Sequence, residues 1–132
     1  MDGTKVKALE LNGETALGPN PLQYNFHAGK GEHLVVIGPN GAGKTALLRI
    51  LAGFLPLKQG SLTIDGQLVD APESKLFLPP HKRSTVLQLQ DGAVFPHLDV
   101  SKNIAFPLRQ MKIESKIVKR TVEETIERFG LF

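Results

Sequence analysis

The chain has 132 residues, a formal net charge of +3 and a pI ≈ 9.3, with 41% hydrophobic and 22% charged residues. That is room for one small domain of ordinary soluble composition, and no apolar run approaches the roughly 18 residues of a membrane-spanning helix. The absence of cysteine excludes disulfides and thiolate metal sites and suits a reducing compartment, and Met1-Asp2-Gly3-Thr4-Lys5 has no apolar segment behind it that would read as a secretory signal.

Residues 5–11 read as a weakly alternating strand. Leu22, Tyr24 and Phe26 alternate with Gln23, Asn25 and His27, which predicts a half-buried strand and makes Tyr24 a sheet residue. Leu34-Val35-Val36-Ile37 is a short unbroken apolar run, the pattern of a strand covered on both faces in a parallel sheet. Residues 45–52 predict a helix with Leu47, Leu48 and Leu51 on one side, stopped by Gly53 and Pro56. Two short strands follow, 61–65 and 67–69, around the hairpin dipeptide Asp65-Gly66. Residues 71–83 read as a Pro-rich charged loop, 85–89 as a β-branched apolar strand, and 90–98 as a loop. Asp99 is placed to cap a helix that ends before Pro107. Ser115 is placed to cap a last helix, with Val118, Val122, Ile126 and Phe129 on one face and Gly130 just past its end. Lys112, Lys116, Lys119 and Arg120 recur opposite that stripe and read as a solvated face, so no nucleic-acid partner is expected. Strands on both sides of a glycine loop and its helix make the fold class α/β.

The chemistry concentrates between residues 38 and 45. Gly38-Pro39-Asn40-Gly41-Ala42-Gly43-Lys44-Thr45 satisfies G-x-x-x-x-G-K-[ST] at every fixed position, between an apolar run and an amphipathic helix. A nucleotide tail carries several closely packed negative charges. Glycines let the backbone curl around them, successive N–H groups form a nest for the oxygens, and the following helix presents its positive end. Lys44 would reach the β- and γ-phosphates of ATP, and the Thr45 hydroxyl would be a ligand of Mg²⁺. Ala46 follows, so the loop offers one hydroxyl fewer than versions with a second Ser or Thr.

A second stretch narrows the family. Val86-Leu87-Gln88-Leu89-Gln90 leads into Phe95-Pro96-His97-Leu98, and Asp99-Val100-Ser101-Lys102-Asn103-Ile104 follows. This resembles the Q-loop region of ABC ATPases, where a strand ends in Gln and a "Val, two residues, Asn-Ile" segment opens the helical subdomain. Leu51-Ala52-Gly53-Phe54-Leu55-Pro56 and Gly60-Ser61-Leu62-Thr63-Ile64-Asp65-Gly66 resemble the stretch these proteins carry after the phosphate loop. The resemblance runs from about Val6 to Leu131. It implies a P-loop NTPase (RecA-like) core with an antiparallel β subdomain and the start of a helical subdomain, incomplete. The core with its Q-loop would occupy residues 1–98 and the helical subdomain would begin at 99–132.

The resemblance further implies that Gln90 contacts Mg²⁺ and links the site to membrane subunits, a role suited to a neutral amide oxygen. Gln88 is the structural alternative. His81 and His97 lack partners at ligand spacing and are assigned to loops or interfaces. The family's aromatic residue that stacks on adenine has no counterpart in residues 11–15, which leaves base stacking without a candidate. The family's Ser-Gly-Gly-Gln, its acidic strand and its switch histidine are not in the 132 residues, so no catalytic residue is assigned and the chain by itself is expected not to turn ATP over. Without the strands those segments would bring, residues 34–37 are expected to lack sheet neighbours. The implied whole is the ATP-binding subunit of an importer, cytoplasmic and peripheral on the membrane's inner face. It would pair with a second ATPase subunit and with integral permease subunits. Leu78-Pro79-Pro80-His81-Lys82-Arg83 resembles subunits serving molybdate, sulfate, iron or polyamine uptake. The alternatives are a soluble ABC ATPase without a membrane partner and a non-catalytic ATP-binding fragment.

Overall fold

The computed structural model describes residues 7–131. They divide between Leu87 and Gln88 into two compact units. The first unit contains strands β1 (Lys7–Leu17), β2 (Asn20–Gly29), β3 (Gln59–Ile64), β4 (Gln67–Ala71) and β5 (Leu76–Phe77), with helix α1 (Lys44–Ala52) between β2 and β3 in the chain. The strands form one sheet in the order β2-β1-β3-β4-β5, antiparallel throughout.

The first strand is longer than its weak alternation suggests. It continues to Leu17 and returns through Gly18-Pro19, with Leu17 opposite Asn20. Gly18 takes φ +78°, the left-handed value a tight two-residue hairpin needs at its first central position. The hairpin around Asp65-Gly66 forms as its dipeptide predicts, with Ile64 opposite Gln67. Leu11, Leu62, Ile64 and Val69 from the sheet bury against Leu47 and Ile50 of α1. Helical spacing from Leu47 places Ile50 inside, whereas Leu48, expected inside, is 48% exposed. Gly53 ends the helix in the left-handed conformation, its N–H donating to the Ile50 carbonyl.

A polar pair is buried in this core. Asp70 accepts a hydrogen bond from the Leu57 N–H at 2.9 Å. Arg83 Nε donates to the Leu78 carbonyl at 2.6 Å, and its Nη1 donates to the Ile50 carbonyl at 2.6 Å and, more weakly, to Leu51. Arg83 thus closes carbonyls at the C-terminal end of α1, where the helix dipole favours a cation. Burial raises the Asp70 pKa, opposed by the Leu57 N–H and by the charge of Arg83; burial lowers the Arg83 pKa, opposed by Asp70. The charged loop expected over 71–83 is therefore ordered by a core arginine. It also carries β5 and two short 3₁₀ turns, Pro72–Ser74 and Pro80–Lys82.

Two expected strands do not form. Residues 34–37 and 85–89 have no ladder partner among the described residues. Apolar, β-branched composition makes a segment fit a sheet, but a strand exists only when a neighbour takes its N–H and C=O groups. Val35 is 78% exposed, Ile37 88% and Val86 98%, so these side chains are left in solvent, as the missing neighbours of 34–37 lead one to expect.

The second unit is a helical hairpin of α2 (Val100–Gln110) and α3 (Ser115–Phe129). Ala105, Val118 and Val122 bury together, with Ile104, Leu108, Ile113 and Ile126 packed on them. Asp99 caps α2 as its position predicts, accepting from the Lys102 N–H at 2.8 Å. The helix does not stop before Pro107; it continues to Gln110. Pro107 forfeits one backbone bond, and the continuation carries Leu108 into the apolar cluster. Ser115 is the first helical residue and not the cap; Glu114 takes that position without a side-chain bond. Phe129, expected on the buried face, is 66% exposed, while Gly130 ends the helix as expected. On the polar face Arg120 pairs with Glu124 at 2.7 Å and Lys119 approaches Glu123 at 4.0 Å.

Candidate phosphate-binding site

Gly38, Pro39, Asn40, Gly41, Ala42, Gly43, Lys44, Thr45 and Ala46 lie together in the first unit, where the chain enters α1. The Ala42 N–H donates to the Pro39 carbonyl at 3.2 Å, turning the loop back on itself. Gly43 is the residue from which the helix starts, with φ +96°, a value a side-chain-bearing residue resists. The Leu47 N–H takes the Gly43 carbonyl at 2.9 Å as the first helical bond. The N–H groups of the first turn have no intrahelical acceptors and carry the positive end of the dipole. No acidic residue occupies that turn.

The loop residues differ in exposure. Residues 38–42 and Thr45 are exposed, Gly43 and Lys44 are half-buried, and Ala46 is buried. Ala46 can therefore offer the site its backbone N–H, while its methyl group faces the core. Lys44 arches back over the loop, its Nζ donating to the carbonyls of Gly38 at 2.6 Å and Pro39 at 2.8 Å. Neutral carbonyls are weaker partners for an ammonium than an anionic oxygen, so a phosphate in the loop would compete for it on favourable terms.

The sheet adds a wall that sequence inspection missed. A cleft of ≈ 460 Å³ opens between Leu17, Pro19, Asn20 and Leu22 of the β1–β2 hairpin and the loop residues Asn40, Gly41 and Gly43 with the start of α1. This wall lies later in the chain than residues 11–15, because β1 runs on to Leu17. Gly18-Pro19 between two alternating runs was the available signal. Tyr24 is a sheet residue, as its alternation predicts, and its hydroxyl also donates to the Gly43 carbonyl at 2.8 Å. Burial raises the pKa of that phenol.

Gln90 belongs to the second unit, exposed in a turn closed by the Gly92 N–H on the Leu89 carbonyl at 3.0 Å. Gln88 is exposed as well. Beyond them Asn103 organises the Phe95-Pro96-His97 segment. Its Oδ1 accepts from the Phe95 N–H at 2.9 Å, and its Nδ2 donates to the carbonyls of Phe95, Leu98 and Asp99. Phe95 packs on Phe106 with ring centres 4.5 Å apart, and His97 stands edge-on to Phe95 at 5.9 Å. His97 thus has a loop role. Among the described residues no group of three or more His, Cys, Asp or Glu gathers as a metal site. No helix among them is long and apolar enough to cross a membrane.

A G-x-x-x-x-G-K-[ST] loop that opens a helix, with its lysine folded back over the loop, marks the P-loop NTPase class. The family model described as ABC transporter matches residues 22–132, and the chain belongs to that family. It is 39% identical over 101 residues to the trehalose/maltose import ATP-binding protein MalK of Thermococcus litoralis, covering 76% of this chain and 27% of that protein. It is 41% identical over 97 residues to the spermidine/putrescine import ATP-binding protein PotA of Thermotoga maritima, covering 74% and 25%. With the molybdate/tungstate import ATP-binding protein WtpC of Pyrococcus horikoshii it shares 38% identity over 109 residues, covering 83% and 30%. The chain spans between 25% and 30% of the length of these three relatives.

Proposed function

We propose that this chain is the ATP-binding portion of an importer's energy-coupling subunit. The observation that carries the reading is the loop from Gly38 to Thr45 at the start of α1, with Lys44 folded across it. The backbone N–H groups of Gly41 and of Gly43 to Ala46 would cradle the phosphates. Lys44 would exchange its two carbonyl partners for phosphate oxygens. Leu17 and Pro19, at the rim of the cleft, would pack on the base with CH groups and without an aromatic ring.

The donors suit Mg²⁺. That ion prefers oxygen ligands and commonly keeps water while binding through substrate phosphates and few protein groups. The Thr45 hydroxyl would hold it at the start of α1. Bound there, Mg²⁺ supplies neutralisation of phosphate charge.

In this reading residues 1–98 are the nucleotide-binding core with its β subdomain and Q-loop, and residues 99–132 begin the helical subdomain. The intact subunit would lie on the cytoplasmic face of the membrane and pair with a second ATPase subunit. The loop from Gln90 to His97, its Phe95 end held by Asn103, would meet a cytoplasmic helix of the permease. The chain by itself would bind ATP without hydrolysing it; phosphate release that disappears in Lys44→Ala would overturn that part. The importer assignment is tested by isolating the chain from detergent-solubilised cells. An integral membrane protein should accompany it, and Asn103→Ala should weaken the association. Recovery with soluble partners alone would contradict the permease role and favour a soluble ABC ATPase.

A further inference from the structure

The phosphate loop receives one hydrogen bond from outside itself and its own helix that nucleotide chemistry alone does not call for. Tyr24 stands on β2, its ring on the half-buried face beside Phe26 and packed against the cluster that holds Leu47 and Ile50. Its hydroxyl donates to the carbonyl of Gly43 at 2.8 Å. The same carbonyl accepts the first helical bond, from the Leu47 N–H at 2.9 Å. The fit from the sheet side is close: a Cβ on Gly43 would stand 2.8 Å from the Tyr24 hydroxyl and 3.1 Å from a Leu22 methyl.

The consequence follows from peptide geometry. The Gly43–Lys44 peptide is planar and trans, so its C=O and N–H point in opposite directions. Two donors fix the carbonyl toward the sheet and the helix. The Lys44 N–H must then point away from both, out of the N-terminal end of α1 where an anion would sit. From this we infer that Tyr24 is a positioning residue for polyphosphate: its hydroxyl aims the Gly43–Lys44 peptide, and with it the base of the Lys44 side chain. Tyr24 does not touch the ligand. The inference rests on the nucleotide-binding reading above and adds to it a residue outside the glycine loop.

Tyr24→Phe removes the hydroxyl and keeps the ring in its packing. Thr15→Val is the matched control. It deletes another hydroxyl bond in the same unit, from Thr15 to the Pro56 carbonyl at 3.1 Å, without touching the loop. The full chain, Tyr24→Phe and Thr15→Val are titrated with ATP–Mg²⁺ and with inorganic tripolyphosphate, and each is melted without ligand. Both variants should melt somewhat below the parent. Only Tyr24→Phe should lose affinity, by about five- to tenfold, and equally for ATP and tripolyphosphate, as loss of one oriented hydrogen-bonding group implies. Unchanged affinity in Tyr24→Phe, or an equal loss in Thr15→Val, would overturn the positioning role and leave the nucleotide site standing. Failure of the unsubstituted chain to bind either ligand would bring down both readings.

Discussion

Two parts of the first unit carry the same sequence signal and meet opposite fates. β1, β3 and β4 carry apolar residues toward the core and are hydrogen-bonded into a sheet with Leu11 and Leu62 fully buried. Residues 34–37 are as apolar as any of them and have no ladder partner among the described residues, leaving Val35 and Ile37 in solvent. Side-chain character makes a segment suitable for a sheet, and the neighbouring backbone decides whether it becomes a strand. β2 finds β1 and β4 finds β3 locally, through the turns Gly18-Pro19 and Asp65-Gly66, while β1 takes β3 from beyond α1. A strand suited to a parallel sheet needs a partner from further along a chain, reached by a crossover.

This contrast yields graded expectations. The largest effect belongs to the closed core: Leu62→Ala should cost about 2–5 kcal/mol in chemical denaturation, the range for deleting a fully buried leucine. Next is Arg83→Ala, which releases carbonyls at the end of α1 and leaves Asp70 buried beside no cation. A loss on the order of 3 kcal/mol is expected, and retained stability would show that the guanidinium is a bystander. Ile37→Ser should change stability by no more than about 0.5 kcal/mol. It should also reduce self-association, because an exposed unpaired apolar segment is a template for another chain. Sedimentation that shows equal association in parent and variant would place the contact elsewhere.

The smallest effects are electrostatic and opposite in sign in the two units. Asp70 has a raised pKa from burial, so the folded state keeps its proton to higher pH than the unfolded state does. Its contribution to stability is full at low pH and declines as pH rises through the raised value. Asp70→Asn should flatten that decline. Asp99 has a lowered pKa, chiefly from the Lys102 side chain and then from the Lys102 N–H. Its contribution is present above the ordinary carboxylate range and is lost as pH falls through the lowered value. Protection of the Lys102 amide in the first turn of α2, taken relative to the intrinsic exchange rate at each pH, should therefore fall in acid, and Asp99→Ala should show the low protection already at neutral pH.

Much of this molecule could be read from local chemistry. The loop from Gly38 to Thr45, the stop at Gly53, the Asp65-Gly66 hairpin and the Asp99 cap each depend on residues a few positions apart. What escaped reading depends on distant partners. Arg83 is a charged residue in a Pro-rich stretch and becomes a core residue because Ile50, some thirty positions earlier, presents a carbonyl to it. The lack of neighbours at 34–37 was legible from the segments the chain does not carry, whereas at 85–89 the strand pattern was visible and the missing neighbour was not. Helix α2 passes Pro107 because Leu108 has a core to join. The hairpin wall of the cleft was missed for a local reason, since Gly18-Pro19 was not read as a turn.

The central claim is that the loop at the start of α1 binds nucleoside triphosphate. Isothermal titration of the full chain with ATP–Mg²⁺, alongside Lys44→Ala, tests it most directly. Saturable binding is expected, weakened about 10- to 100-fold in Lys44→Ala, as loss of a charge-assisted partner implies. Equal binding by the two chains, or none by either, would contradict the account.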